Sequence, residues 1–165
     1  MFLITDNLYN FVKNSMVMAY KALDIARKLI YKAQNDEPNG GDRMTNLKLQ
    51  KLLYYQQGYH LAFFDTPLFD DKIEAWMYGP VVPSVYDVYA KYVASTLPEI
   101  NEQIQLADEE EELFNEVYDA YREFSAIGLM NRTHSEAPWR NATLHDIGAV
   151  ITQDSMKSYF LTKIR

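Results

Sequence analysis

The chain has 165 residues, a formal net charge of −7 and no cysteine. This length fits a single domain over residues 1–165, which would remove about 70% of its unfolded surface from water and needs neither a disulfide nor a metal to fold. Without cysteine there is no disulfide framework, iron–sulfur site or thiol nucleophile, and the acidic balance disfavours DNA, whose phosphates require a basic face.

A helical pattern covers residues 15–34, where apolar residues recur at intervals of three and four. The apolar positions are Ala19, Leu23, Ala26, Ile30 and Ala33. The preceding arm, residues 1–14, has neither a basic n-region nor a small-residue cleavage site, and no apolar run approaches the ~18–20 residues that cross a bilayer. We therefore expect a cytoplasmic protein that is not inserted in a membrane.

The second predicted helix covers residues 45–64 and has a wide apolar band, which indicates a central helix with neighbours on several sides. Either of its first two residues suits the cap. Gly58 weakens the helix by about 1 kcal/mol relative to alanine, so we expect another element to approach closely there. Lys51 lies within the apolar band, and we expect its ammonium to reach the rim or Glu74.

A strand pattern follows at residues 68–78, where apolar and polar residues alternate. Gly79 and Pro80 are expected to turn the chain. Pro83 fits the first turn of a third helix, because its missing N–H has no intrahelical partner to lose. The buried face of that helix is predicted to consist of Val85, Val88, Tyr89 and Tyr92. Residues 100–106 alternate more weakly and predict a second short strand.

The C-terminal third is predicted to be helical. One helix covers residues 108–126 and is expected to stop at Gly128. Its acidic start suits a helix N-terminus, and Asp108 with Glu111 has the spacing of a capping box. A short helical turn around Trp139 follows, and a last helix lies within residues 153–163.

These elements together define the predicted fold class. It is α+β and predominantly helical: a compact bundle of about five to six helices with a small two- or three-stranded β-element around residues 68–78 and 100–106. No repeat, low-complexity tract or linker interrupts the pattern, so the sequence predicts one domain.

The histidines are the first candidates for metal or acid–base chemistry. His134 and Glu136 precede His145 and Asp146, so a two-histidine, two-carboxylate metal site is one hypothesis. No HExxH or paired CxxC motif supports it, and His60 has no acid at helical spacing. There is also no GxSxG elbow, SxxK pair or glycine-rich phosphate loop. We therefore predict a protein that is not an enzyme and holds neither a cofactor nor a metal.

Tyrosine is the main excess in the composition, with 13 residues beside 8 phenylalanines and 2 tryptophans. Many lie in the middle of the chain, among them Tyr54, Tyr55, Tyr78, Tyr86 and Tyr89. Tyrosine is favoured in interfaces because it buries a large area with few rotors and keeps a polar tip. Each single tyrosine is more simply explained as a core residue, but the group predicts that a minority lies on a protein-binding face.

Three motifs in a fixed order make the sequence recognisable. Residues 47–55 read LKLQKLLYY, residues 74–82 read EAWMYGPVV, and residues 134–139 read HSEAPW. In this order they resemble the Panacea-domain family of SocA-like antitoxins and phage-associated proteins, over residues 16–142. The candidate protein-binding or motif residues are Lys51, Tyr54, Tyr55, Trp76, Tyr78, Gly79, Pro80, Tyr86, Tyr89, His134, Glu136 and Trp139.

The resemblance implies a compact helical domain with a small β-element, flanked here by the arm 1–14 and the C-terminal helix 153–163. It also implies an antitoxin that neutralises a cognate toxin, encoded nearby, by direct contact. In a subset of the family the antitoxin delivers its toxin to a ClpXP-type protease. Two alternatives stay open: a phage or mobile-element protein that binds a host factor, and a metal-dependent enzyme using His134, Glu136 and His145. The sequence permits a homodimer without requiring one.

Overall fold

The computed structural model describes residues 18–36 and 43–164. Its α-helices are α1 (Ala22–Asp36), α2 (Asn46–Phe64), α3 (Pro83–Tyr89), α4 (Asp108–Tyr121), α5 (Ala126–His134), α6 (Ala137–His145) and α7 (Gln153–Leu161). The strands are β1 (Ile73–Trp76), β2 (Gly79–Val81) and β3 (Val150–Ile151), and a 3-10 turn, Ala90–Tyr92, extends α3. The fold is therefore α+β and predominantly helical, as predicted, with more helices than the expected five to six. None of the helices within these two ranges is long and apolar enough to cross a bilayer.

Helix α1 begins later than the sequence pattern indicated. The predicted arm at residues 1–14 and the first three residues of the predicted helix lie outside the described residues, but Met18 to Lys21 are described and are not helical. The Tyr20 N–H donates to the Leu68 carbonyl at 2.8 Å, in an isolated parallel bridge to Phe69. That pairing holds the chain extended up to the start of the helix.

Helix α2 is the central element of the fold, as its wide apolar band predicted. Thr45 caps it, and its hydroxyl accepts the Lys48 N–H at 3.2 Å. Of the 19 residues in α2, 17 are buried, because α1, α4, α5 and α7 all pack against it. The close approach expected at Gly58 is confirmed, since an added Cβ there would lie 2.1 Å from the Phe160 ring of α7.

The three strands form one antiparallel sheet in the order β2–β1–β3. In the β1–β2 hairpin Trp76 pairs with Gly79, so the chain turns at the two residues between them. Gly79 and Pro80 consequently belong to the second strand. The turn expected at these two residues lies two residues earlier, at Met77 and Tyr78. The strand pattern over residues 68–78 is confirmed for residues 73–76.

The second strand predicted at residues 100–106 is wrong. The Gln34 side chain holds Ile100 in two ways: its amide nitrogen donates to the Ile100 carbonyl at 2.7 Å, and its amide oxygen accepts the Ile100 N–H at 2.9 Å. Lys28 Nζ donates to the Ile104 carbonyl at 3.1 Å. Because side chains of α1 satisfy these backbone groups, the segment runs along α1 without a strand partner. The third strand is β3 instead.

Helix α3 starts at Pro83, as predicted, and buries two of the four residues assigned to its inner face. Val85 and Tyr89 are buried, Tyr92 is half-buried, and Val88 is 46% exposed, so its assignment to the core is wrong. The inner face of this short helix is formed by Val85 and Tyr89, which are four residues apart, and Val88 lies toward solvent.

The helix predicted over residues 108–126 is confirmed as α4 but ends earlier, at Tyr121, and a separate helix, α5, begins at Ala126. Ser125 caps α5, with its hydroxyl accepting the Gly128 N–H at 3.0 Å, so Gly128 lies inside a helix and does not stop one. The capping box is also wrong, because Ala107 is the N-cap of α4 and Glu111 accepts the Leu106 N–H at 3.3 Å. The turn expected around Trp139 is the start of α6, and the predicted last helix is confirmed as α7.

Candidate functional site

The motif residues meet around α2 in two separate places. At the middle of α2, Tyr54 and Tyr55 contact Glu136 at the start of α6. At the N-terminal half, Lys51 lies against the β1–β2 hairpin, which carries Trp76 and Tyr78. We call the first place the tyrosine–Glu136 cluster and the second the apolar groove.

The tyrosine–Glu136 cluster consists of Tyr54, Tyr55 and Glu136, all buried. The Tyr54 hydroxyl donates to Glu136 Oε2 at 3.0 Å, and the Tyr55 hydroxyl donates to Glu136 Oε1 at 2.9 Å. Burial raises the pKa of the Glu136 carboxyl, although the two hydroxyl donors and Arg132 oppose that shift. Burial also raises the pKa of the Tyr54 hydroxyl, and the neighbouring Glu136 adds to the effect. The cluster fastens α6 to α2 and leaves neither tyrosine accessible to a partner.

Aromatic packing encloses this cluster. Tyr55 stacks on Tyr121 of α4 with ring centroids 3.9 Å apart, and Phe160 meets Tyr54 edge-on at 5.4 Å. The Tyr59 and Tyr121 hydroxyls lie 2.9 Å apart. Tyr89 is likewise buried, in α3. Much of the tyrosine excess in the middle of the chain therefore builds the core.

A second buried polar group was not found from the sequence. His60 of α2 places Nε2 2.8 Å from Glu110 Oε1 and Nδ1 2.6 Å from the Thr66 carbonyl, which makes Nδ1 a donor. Tyr20 donates to Glu110 Oε2 at 2.6 Å. Burial alone would raise the pKa of Glu110, but the hydrogen bonds from His60 and Tyr20 lower it, while burial and Glu110 raise the pKa of Tyr20 to about 12. His60 and Glu110 are 50 positions apart, so helical spacing could not reveal the pair.

The proposed two-histidine, two-carboxylate site is not assembled. Glu136 is buried at the start of α6 and accepts the two tyrosine hydroxyls, whereas His145 and Asp146 are exposed at its other end. Within residues 18–36 and 43–164 no group of three or more histidine, aspartate or glutamate side chains is placed to hold a metal ion.

The apolar groove has a volume of about 590 Å³ and lies between the start of α2, the β1–β2 hairpin and the end of α3. Its apolar lining includes Leu47, Trp76, Met77, Tyr78, Tyr86 and Val93. Three of these side chains are largely exposed: Met77 and Tyr78 at 63% and Val93 at 79%. Apolar side chains of this size are seldom left together in solvent unless they meet a partner.

The hairpin that walls the groove is held rigidly from behind. Trp76 meets Tyr86 edge-on at 4.9 Å, and its indole N–H donates to Glu74 at 2.7 Å. Trp139 of α6 donates its indole N–H to the Trp76 carbonyl at 2.9 Å. The Trp139 hydrogen bond therefore fixes the hairpin backbone next to the exposed turn, and the Trp76 bond to Glu74 orients the indole.

Lys51 forms part of the floor and does not reach the rim. Its ammonium donates to the Pro80 carbonyl at 2.9 Å, and the residue is fully buried, so the expected contact with Glu74 is wrong. Burial lowers the pKa of Lys51 to about 7. Gly79, at φ 101°, is required beside it, because an added Cβ would lie 2.7 Å from Lys51 Cε.

His134 lies behind the hairpin and stacks on Trp139 with ring centroids 4.1 Å apart. Its Nε2 is buried and has no hydrogen-bond partner in the part of the chain that the structure describes. Burial lowers the pKa of His134 and nearby Lys51 lowers it further, while the Met77 backbone opposes them. A neutral imidazole is therefore expected behind the groove.

Comparison with known proteins identifies the region that contains both places. The family model described as "Antitoxin SocA-like, Panacea domain" matches residues 49–140. Antitoxin SocA of Caulobacter vibrioides (strain NA1000 / CB15N) is 45% identical over 47 residues. That alignment covers 28% of this chain and 25% of the relative, so it spans only a quarter of the relative's length. No solved structure matches the chain significantly.

Proposed function

Because the chain belongs to the SocA-like antitoxin, Panacea-domain family, we propose that it is an antitoxin that neutralises a toxin by direct protein–protein contact. The observation that carries this proposal beyond the family is the apolar groove. Motif residues line it, and Met77, Tyr78 and Val93 leave apolar surface exposed at its mouth. Aromatic residues and methionine are enriched at the centres of protein interfaces.

The proposal is for a binding module and not for an enzyme. Two buried carboxylates that could carry acid–base chemistry are committed to internal hydrogen bonds: Glu136 to two tyrosines, and Glu110 to His60 and Tyr20. These bonds hold helices together and leave the carboxylates buried. The proposed site of action is the cytoplasm, where the toxin would be made.

A co-expression rescue tests the proposal. Each short reading frame adjacent to the gene is induced in a bacterium with and without this protein, and growth is followed while a tag on this chain captures partners. We expect one product to arrest growth alone, to be harmless in the presence of this chain, and to be captured with it in a fixed ratio. If no neighbouring product is toxic and a host protein is captured instead, the protein is a host-directed factor and the antitoxin proposal is wrong.

The same strain distinguishes contact from proteolytic delivery. If contact alone neutralises the toxin, its cellular level stays unchanged when this protein is induced. If the chain also acts as an adaptor for a ClpXP-type protease, the toxin level falls on induction and is restored when that protease is deleted. Measuring the toxin by immunoblot in both strains decides between the two. Size-exclusion chromatography of the free chain measures whether it is a homodimer.

A further inference from the structure

We propose that the apolar groove takes an acidic, hydrophobic segment of the partner protein: large apolar side chains enter the groove, and a neighbouring aspartate or glutamate faces its donor-rich floor. This inference rests on the proposed function, since it names the chemistry of the partner segment. Charge, hydrogen-bonding capacity and the shape of the exposed surface support it independently.

The charge of the groove is opposite to that of the chain as a whole. The chain carries a formal net charge of −7. None of the described residues that line the groove is an aspartate or a glutamate, and Lys51 is the basic side chain among them. Burial lowers the pKa of Lys51 to about 7, so it is partly protonated at neutral pH, and a carboxylate in the groove would favour its charged form. A carboxylate is favoured there, and a lysine or arginine is not.

The floor carries hydrogen-bond donors that its internal bonds do not use. Gln50 gives one amide N–H to Asn46 at 2.9 Å, and its oxygen accepts the Val82 N–H at 2.9 Å. Asn46 gives one N–H to the Tyr86 carbonyl at 3.3 Å. Lys51 uses one donor on Pro80. Each amide nitrogen carries two hydrogens and a protonated Lys51 carries three, so within the described chain unused donors remain on all three side chains, which are 0–3% exposed and lie beneath the groove surface.

The start of α2 adds to the same polarity. Thr45, Asn46 and Leu47 line the groove, and they form the cap and first turn of a 19-residue helix. The N-terminal end of a helix dipole favours negative charge. This contribution and the donor-rich floor act in the same direction, toward an acidic occupant.

The exposed surface fits a protein segment better than a small molecule. Met77, Tyr78 and Val93 continue the apolar lining out of the groove and into solvent. A small ligand confined to the groove would leave these side chains uncovered, whereas a protein segment passing across the mouth would cover them. The occupant is therefore a stretch of chain with apolar and acidic residues close together.

The test uses a library of random 12-residue peptides displayed on phage, selected against the intact protein. We expect the enriched peptides to carry a large apolar residue within two positions of an aspartate or glutamate, and to be depleted of lysine and arginine. A selected peptide is then measured against charge variants at Met77, an exposed residue of the hairpin turn. Both variants lose the apolar contact of Met77, so the charge effect is their difference, and Met77→Lys should bind about tenfold more tightly than Met77→Glu.

Leu144, which is 83% exposed and does not line the groove, supplies the matched control. Leu144→Lys and Leu144→Glu should leave peptide affinity unchanged. Replacing the acidic residue of the peptide with its amide should weaken binding to the wild-type protein and remove the difference between the two Met77 variants. Circular dichroism verifies that all four variants are folded. Enrichment of basic or uncharged peptides, no enrichment at all, or equal effects at Met77 and Leu144 would overturn the inference.

Failure of this inference is distinguishable from failure of the proposed function. If the wild-type chain rescues growth and both Met77 variants rescue it equally, the antitoxin proposal stands and the groove chemistry is wrong. If no neighbouring product is toxic but the selected peptides obey the charge rule, the groove chemistry stands and the antitoxin proposal is wrong.

Discussion

The tyrosine–Glu136 cluster and the apolar groove both lie along α2, and their motif residues have opposite properties. At the tyrosine–Glu136 cluster two hydroxyls meet two carboxylate oxygens, and aromatic rings close over them. At the apolar groove the motif residues leave donors unused and hold Met77 and Tyr78 in solvent. Membership of one motif therefore does not imply one role. The tyrosine–Glu136 cluster stabilises the fold, and the apolar groove is where we propose that the partner binds.

The largest expected effect on stability is at the tyrosine–Glu136 cluster. Glu136→Ala leaves two buried tyrosine hydroxyls without an acceptor, so we expect the free energy of unfolding to fall by about 4 kcal/mol. Glu136→Gln keeps one acceptor oxygen and should cost less than half as much. Urea denaturation followed by circular dichroism measures both. A loss of under about 1 kcal/mol for the alanine variant would mean that the cluster does not stabilise the fold.

The next effect tests how tightly α7 packs on α2. An added Cβ at Gly58 would overlap the Phe160 ring, so Gly58→Ala should destabilise by about 3 kcal/mol despite the better helix propensity of alanine. Gly128→Ala is the matched control, because its Cβ would meet the Ser125 hydroxyl at 3.2 Å and the Phe124 ring at 4.0 Å, with no overlap. That variant should stay within about 1 kcal/mol of the wild type. Equal thermal shifts for the two variants would contradict the packing at Gly58.

The pH dependence of stability tests the burial of Lys51 in the floor of the apolar groove. The pKa of Lys51 is about 7 in the folded chain and 10.5 in the unfolded chain. Between these values the unfolded chain holds the proton and the folded chain does not, so the free energy of unfolding rises with pH. Relative to Lys51→Met, the wild type should gain about 2 kcal/mol between pH 7.5 and 9.5. Parallel stability curves over this window would show that the ammonium is solvated.

The smallest effect on stability is expected at the mouth of the groove. Tyr78 is 63% exposed, so Tyr78→Ala should change the free energy of unfolding by less than about 0.5 kcal/mol. Partner binding should nevertheless weaken about tenfold or more, because a central aromatic anchor is lost. Biolayer interferometry with the captured partner measures this, with Leu144→Ala as a control outside the groove. Unchanged binding would place the interface elsewhere.

Local sequence signals predicted the central helix well. Its wide apolar band, the Thr45 cap and the role of Gly58 could all be deduced, because each depends on neighbours within a few residues or on the absence of a side chain. The family motifs singled out candidate residues. They did not indicate that Tyr54 and Tyr55 would be buried while Tyr78 would be exposed, since that depends on how α6 and the hairpin dock.

The errors came from long-range hydrogen bonds. Residues 100–106 alternate like a strand, but Gln34 and Lys28, more than 60 positions earlier, take up their backbone groups. Likewise, no spacing rule connects His60 with Glu110, or Lys51 with the Pro80 carbonyl. Such pairings follow from the packing of distant elements, and periodicity within a single element does not predict them.

The most direct test of this division of roles is amide hydrogen exchange of the chain, free and in complex with its captured partner. Binding is expected to slow exchange at the hairpin turn and at residues 90–94, while residues 54–59 are protected in both states. Slowed exchange at other surfaces, with none at the hairpin turn or residues 90–94, would contradict the assignment of the groove as the partner-binding site.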